Sequence, residues 1–437
     1  LDIAQKGIEV TLIEKSPILG GQLNNLDRLA PSGEKASDIL QELLDQILNH
    51  KGITIHTECK IEDVTGYVGN FSLDIVTKTD NKKITIDTGA IVMATGSVSY
   101  IPFDGEYGFG RHKEVITLKD LIHILKENLS SGTALEVNGK CIKNMVMIHC
   151  VGSRQIPGIH QPKENGQLNE YCSRTCCAAM LNASNQIREN FPETNIYEMY
   201  RDIRTYGRGQ EELYNQASKN KVIFMRYDAD AQPEITPSST SDYPLLVKIK
   251  DSLTFNEQME VPADLVVLAT GIEPDDVSGL ASIMKLPIGT DKFLLEVHPK
   301  LRPVEFPITG VFLAGTCQAP MDVGEACNAA GAAAVKASAL LSKGYIELDP
   351  FVAQVDMDKC QGHGACVEAC LKEGALELIE VNIEGKIHKK AQITAAMCLG
   401  CGACAAVCPE KAIDINGWAL KQYEDMVDAI VSDGFAA

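Results

Sequence analysis

The sequence contains no apolar stretch long and charge-free enough to cross a bilayer, which takes about 18 residues or more. Its most apolar region, residues 326–341, is Ala-rich, is interrupted by Asn328 and Lys336, and reads as a buried helix. Positive charge is also scarce: Lys and Arg total 40 against 59 Asp and Glu, a net charge of -19. A surface of that sign repels phosphate backbones, which argues against a nucleic-acid partner. The opening LDIAQKGIEV has no basic segment leading into an apolar core, so no secretory leader is expected and the chain reads as cytoplasmic. The opening also lacks the strand and Gly-rich turn that start a βαβ nucleotide-binding unit. The chain is therefore expected to begin inside such a unit, with a helix end at Leu1–Lys6, a stop at Gly7 and a strand over Ile8–Ile13.

Cysteine, by contrast, is plentiful. Fifteen cysteines with no secretion signal point to metal or redox use rather than structural disulfides. The 437 residues suggest about three domains. Residues 1–100 and 265–347 read as two parts of one nucleotide-binding lobe, 101–264 as a central lobe, 348–417 as a cysteine-dense module and 418–437 as a terminal amphipathic helix. Residues 35–50 have helical spacing, while 53–58, 71–77 and 84–86 alternate like antiparallel strands. Ala90–Gly96 and Leu265–Gly271 are both apolar strands running into Ala-Thr-Gly, and suggest two related lobes. Further strands are expected at Asn144–His149, 195–200 and Gly310–Gly315, with helices near 174–190 and over Gly324–Leu341. Residues 229–243 read as a loop and Leu348–Pro350 as a linker.

The cysteine-dense module carries the most specific motif. Cys398, Cys401, Cys404 and Cys408-Pro409 form C-x2-C-x2-C-x3-C-P, the spacing that wraps three thiolates around one face of an iron–sulfur cubane. In that pattern the fourth cysteine starts a helix and serves the other cluster. Upstream, Cys360, Cys366 and Cys370 repeat the run imperfectly, with His363 where a second cysteine would stand and Leu371 in place of proline. The crossed arrangement predicts one cluster on Cys370, Cys398, Cys401 and Cys404, and another on Cys360, Cys366 and Cys408. His363 is either the fourth ligand of the second cluster or a bystander beside a three-iron one. A structural zinc knot is the competing reading, although zinc sites favour two separated pairs.

A second constellation is internal: Cys150 at the end of a strand, and Cys172, Cys176 and Cys177 around a helix start, with Arg154 and Arg174 close by. These four could ligate a third cluster, hold zinc, or be buried free thiols. A nicotinamide-binding lobe would need G-x-G-x-x-G/A after Val146–His149, and the sequence has Cys-Val-Gly-Ser-Arg. The central lobe has thus exchanged NAD(P) for sulfur ligands. In the outer lobe, Glu14 at a strand end suits a ribose hydroxyl, Gly20–Gly21 and Gln22 permit close backbone approach, and Asp322–Val323–Gly324 opens a helix whose N–H groups suit a pyrophosphate or a flavin edge.

Taken together, EKSPILGGQL, the paired ATG segments, HCVGSR, YCSRTCC, GVFLAGTCQAPMDVGEACNAAGAAA and the C-terminal cysteine runs resemble the A-type subunit of heterodisulfide reductase and its relatives, over essentially the whole chain. The resemblance implies an α/β body of two Rossmann-like lobes of the FAD/NAD(P)-linked disulfide-oxidoreductase type, without the first strand and Gly-rich turn, plus an α+β two-cluster ferredoxin-like domain. It implies FAD lined by Glu14, Lys15, Gly20, Gly21, Gln22, Ala94, Thr95, Gly96, Gly271, Gly315, Asp322, Val323 and Gly324. It also implies three iron–sulfur clusters, each four-iron unless the one at His363 is three-iron. The implied role is electron bifurcation or confurcation at FAD in a complex with iron–sulfur and hydrogenase- or dehydrogenase-linked subunits, in which this chain forms a homodimer. A simple conduit in a quinone-linked or aromatic-ring-reducing complex is the alternative. The missing Gly-rich turn and His363 depart from the family pattern, and bear on flavin binding and on the type of one cluster.

Overall fold

A computed structural model describes residues 1–127, 133–239, 242–347, 351–383, 385–417 and 420–434. The chain forms two compact units, residues 1–64 with 72–339 and residues 65–71 with 340–437. The expected linker at Leu348–Pro350 lies outside the described residues.

The first unit is organised by Asn144–Val151, an eight-residue strand buried throughout. Burial on both faces favours parallel pairing, and this strand pairs in parallel with Asn195–Tyr200 on one side and Leu265–Thr270 on the other. Ile223–Arg226 and Val115–Thr117 complete a five-stranded sheet at its two ends. The crossovers from Asn144–Val151 to Asn195–Tyr200 and on to Ile223–Arg226 run through helices Cys176–Asn190 and Gln210–Lys219. This is half of a doubly wound nucleotide-binding fold. Side-chain alternation explains the double burial. Met145 and Met147 join Met180, Leu181 and Ile187 of the crossover helix on one face. Val146 and Ile148 join Leu245, Val247 and Val261 on the other. Those last three residues lie on strands Leu245–Asp251 and Glu257–Ala263, which form a small antiparallel sheet with Glu234–Pro237. Glu234–Pro237 falls inside the expected 229–243 loop. Its Pro, Ser and Thr content hid an edge strand, where proline costs no ladder bond. The central sheet also extends beyond the expected boundary at 264, because Leu265–Thr270 is one of its strands.

In the outer lobe, Val10–Ile13 and Ile53–His56 pair in parallel around helix Ala36–Leu48. The second of these strands is thus the return strand of a βαβ crossover and not the antiparallel strand its alternation suggested. Ile91–Met93 and Val311–Leu313 form a separate parallel pair. Asn70–Thr77 lies between Cys59–Tyr67 and Lys83–Thr88 in a three-stranded sheet.

The second unit repeats one pattern twice: a strand, a cysteine loop, a helical turn and a returning strand. Ala353–Val355, helix Ala365–Glu368 and Leu376–Ile383 form one copy; Lys386–Ile393, helix Ala403–Val407 and Ile413–Ile415 form the other. The copies interlock through two antiparallel ladders, Leu376–Ile383 with Lys386–Ile393 and Ala353–Val355 with Ile413–Ile415. Helix Leu420–Gly434 follows, as its amphipathic spacing predicts.

Gly152 closes the turn after the central strand at φ 66°. A Cβ there would stand 2.0 Å from the ring of Tyr100. Gly152→Ala should therefore cost more than the ~1–2 kcal/mol of a left-handed alanine alone, read as a lowered unfolding midpoint. A loss within about 0.5 kcal/mol, typical of a surface change, would contradict this packing.

Candidate functional site

The cysteines of the second unit line two hollows. Cys360, His363, Cys366 and Cys408 surround one, and Cys370, Cys398, Cys401 and Cys404 surround the other. Their empty volumes are similar, about 330 and 380 Å³. Each cysteine run thus sends its last member across to the other hollow. Backbone amides are aimed at three of the sulfurs: Ala391 N–H donates to Cys360 Sγ at 3.4 Å, Ala412 N–H to Cys408 Sγ at 3.3 Å and Ala353 N–H to Cys398 Sγ at 3.4 Å. Such donors favour sulfur in its anionic form. At Cys366 and Cys404 burial outweighs the backbone donors of Cys366, Val367, Cys404 and Ala405 and pushes the thiols up. The tight loops need glycine. A Cβ on Gly362 would lie 2.2 Å from the Lys389 carbonyl oxygen, and one on Gly400 would lie 2.3 Å from that of Phe351. Cys408 ends helix Ala403–Val407 rather than starting one, since Pro409 follows it and suits a helix stop. Among the described residues, no three His, Cys, Asp or Glu side chains converge as one metal ion would require; the sulfurs surround a space instead.

The internal constellation sits at the carboxyl end of Asn144–Val151. The strand order reverses between this strand and Leu265–Thr270, the position at which doubly wound sheets hold their ligands. Cys150 has φ 65°, beside a register shift between Ile148 and Val151. Arg154 at φ 54° and Arg174 at φ 63° are likewise left-handed, so backbone strain is concentrated around these sulfurs. Cys176 and Cys177 open the crossover helix, while Cys172 lies in the loop ahead of it. Arg154 Nη1 approaches Cys150 Sγ at 3.7 Å, and Arg174 N–H donates to Cys172 Sγ at 3.4 Å. A hydrogen bond from Cys176 and the charge of His149 hold the Cys177 thiol down at about 4. Cys176 is raised in turn by Cys177, by burial, and by the charges of Cys150 and Cys172, so all four sulfurs interact electrostatically.

Sequence reasoning missed the polar residues behind this group. His149 Nε2 lies 2.9 Å from Glu198 Oε2, and Ser184 Oγ donates to Glu198 Oε1 at 2.5 Å, all three residues fully buried. The available signal was a lone histidine and a lone glutamate in otherwise apolar strands.

The outer lobe brings part of the expected nucleotide set together. Glu14 accepts the Ser16 N–H at 2.8 Å, and Lys15 is ion-paired with Asp275. Gln22 Nε2 donates to the Ser97 carbonyl at 3.0 Å, which ties the Gly20–Gly21 loop to the turn through Ala94, Thr95 and Gly96. A Cβ on Gly20 would meet Asn24 and Leu40 at 2.8 Å, so that glycine answers to packing, whereas Gly21 faces open space. Gly96 at φ 78° and Gly315 at φ 75° also face open space, and Thr95 Oγ1 is buried without a partner. Ala314 N–H donates to the Met93 carbonyl at 2.9 Å, which sets these two turns side by side. Asp322 and Glu325 form a reciprocal capping box: Glu325 N–H donates to Asp322 Oδ1 at 2.8 Å, and Asp322 N–H to Glu325 Oε2 at 3.2 Å. Val323 and Gly324 supply the first N–H groups of helix Val323–Ser342. Arg174 pairs with Glu325 and donates to the Pro320 carbonyl at 3.2 Å, linking this helix start to the internal cysteines. Gly271 stands apart from the set: its hypothetical Cβ lies 2.7 Å from Ser173 Oγ, against the cysteine loop.

A doubly wound sheet with thiols at its switch point, followed by a unit with two thiol-lined hollows, defines an iron–sulfur oxidoreductase. Residues 359–412 match the 4Fe-4S dicluster domain family. The second of two iron–sulfur A-type subunits of CoB–CoM heterodisulfide reductase from Methanopyrus kandleri is 31% identical over 87% of this chain and 68% of its own length. The A-type subunit of the H(2):CoB-CoM heterodisulfide,ferredoxin reductase of Methanothermobacter marburgensis is 29% identical over 85% of this chain and 66% of its own. The chain belongs to the family of heterodisulfide reductase A-type subunits and is part of an oxidoreductase. Among solved structures, T. acidophilum thioredoxin reductase aligns with 78% of this chain and 92% of its own at 14% identity and TM-score 0.48. No helix among the described residues is long and apolar enough to cross a membrane.

Asp322→Ala removes a helix cap and should lower stability by about 0.5–2 kcal/mol, measured by thermal unfolding. Asp322→Asn should restore most of it, and equal melting of all three forms would rule out the capping role.

Proposed function

We propose that this protein carries electrons between a bound FAD and three iron–sulfur clusters, and passes them to other subunits of a heterodisulfide-reductase-like complex. The observation that carries the reading is the pair of hollows in the second unit, each lined by cysteines from both runs. On this reading Cys370, Cys398, Cys401 and Cys404 hold one four-iron cluster, and Cys360, Cys366, Cys408 and His363 hold another. Cys150, Cys172, Cys176 and Cys177 hold the third. Bound clusters supply one-electron steps, and FAD converts between one- and two-electron chemistry.

The chain's own residues orient and insulate these groups. Gly96 and Gly315 leave room for close approach, the Thr95 hydroxyl lacks a protein partner, and the capped start of Val323–Ser342 directs N–H groups outward. These features support FAD in the outer lobe, with Glu14 toward its ribose. Arg174 touches both the cysteine loop and this helix start, which supports short-range exchange between flavin and the internal cluster. Bifurcation or confurcation at FAD, with the chain forming a homodimer beside iron–sulfur and hydrogenase- or dehydrogenase-linked partners, is the finer form of the proposal. Spectroelectrochemistry of the flavin in the intact complex tests it. Bifurcation requires crossed one-electron potentials, and a normal order would leave a plain conduit.

Anaerobically purified full-length protein should contain about 12 iron atoms per chain, from three four-iron clusters. About 11 would instead indicate a three-iron centre at His363, and four or fewer would defeat the proposal. His363→Cys replaces a neutral ligand by an anionic one and should lower the potential of that cluster. An unchanged redox titration would exclude His363 as a ligand.

A further inference from the structure

The hairpin strand Lys386–Ile393 carries a buried lysine, Lys390. Lys390 is only 7% exposed. Its Nζ donates to the carbonyl oxygen of Cys360 at 2.5 Å and makes no ion pair among the described residues. The next residue, Ala391, donates its N–H to the Sγ of the same cysteine at 3.4 Å. Residues 389–391 therefore clamp the Cys360 loop, with Gly362 packed against the Lys389 carbonyl. Ala391 and its cross-strand neighbour Leu378 line the hollow shared by Cys360, His363, Cys366 and Cys408.

A buried ammonium is rare because leaving water costs several kcal/mol unless an anion lies nearby. One carbonyl dipole does not supply that anion. The thiolate and sulfide charge of a cluster in this hollow would. We propose that Lys390 is the buried counter-charge of the cluster in the Cys360 hollow, and that it holds this cluster's reduction potential above the value its ligands alone would set. The inference rests on the cluster reading of that hollow. One-electron reduction adds one negative charge to the site while the ammonium keeps its own, so the fixed charge favours the reduced state. The other hollow has a lysine in its lining, Lys372, which is half-exposed, so its charge is partly screened by water. Lys390 therefore separates the two potentials in the same sense as a neutral His363 ligand, making the Cys360 hollow the electron-accepting end of the pair.

The test is a dithionite titration of the full-length holoprotein followed by EPR, with the cluster of Cys370, Cys398, Cys401 and Cys404 as internal reference. In Lys390→Met and Lys390→Gln the ratio of reduced to oxidised cluster in the Cys360 hollow, at the wild-type midpoint, should fall about tenfold or more. That corresponds to about 59 mV for one electron. The reference cluster should not move, and Lys390→Arg should stay near wild type. Loss of that cluster's iron from the Met and Gln variants but not from Arg would also support a charge requirement. An unchanged midpoint in either neutral variant with full iron would overturn the proposal, as would an equal shift of both clusters or loss of iron from all three variants. Absence of the cluster from wild-type protein would defeat the reading of the hollow itself.

Discussion

Gathering several cysteine sulfurs out of water is the constraint on which this molecule is built. Like charges brought together out of water repel strongly, so they persist only where donors and cations face them. Each cysteine group meets that demand from its surroundings. In the second unit the donors are the amides of Ala391 and Ala412, with the Lys390 ammonium on the Cys360 carbonyl. In the first unit they are the Arg174 amide, the Arg154 guanidinium and the first turn of Cys176–Asn190. Small residues between the cysteines follow from the same need, because a Cβ at Gly362 or Gly400 would strike a backbone carbonyl.

The internal site shows how a nucleotide fold accommodates sulfur chemistry. Doubly wound sheets leave a crevice where strand order reverses, and a pyrophosphate ordinarily requires a glycine-rich turn there. In this chain the turn carries Cys150 and left-handed Arg154, with Tyr100 packed over Gly152. The crossover helix still directs its N-terminus at that crevice, and its first two residues are Cys176 and Cys177. The helix dipole that would favour phosphate there favours thiolate equally well. Behind them His149 Nε2 and Ser184 both bond Glu198 in the core, while His149 Nδ1 is buried without an oxygen or nitrogen partner.

Arg174 joins this site to the outer lobe. Its amide faces Cys172, while its side chain holds both the Pro320 carbonyl and Glu325 of the capping box. One residue of the cysteine loop thus contacts the start of Val323–Ser342 directly. Few residues separate the start of Val323–Ser342 from the internal sulfurs.

The chain's residues alone determined the central buried strands and the reach of each cysteine run. Met145–Ile148 and Leu265–Ala269 are continuous apolar runs, which only a sheet covered on both faces can bury. The short cysteine intervals limited each run to one loop and one helical turn. Tertiary structure decided what local pattern cannot encode. Parallel pairing of Ile53–His56 depends on a helix folding back, and the edge strand Glu234–Pro237 exists only because Leu245–Asp251 lies beside it. Assignment of Gly271 to the cysteine loop, burial of Lys390, and the pairing of His149 with Glu198 likewise required distant segments to meet. Sequence spacing carries the covalent reach of a loop, whereas burial and charge compensation are properties of neighbours that only the folded chain brings together.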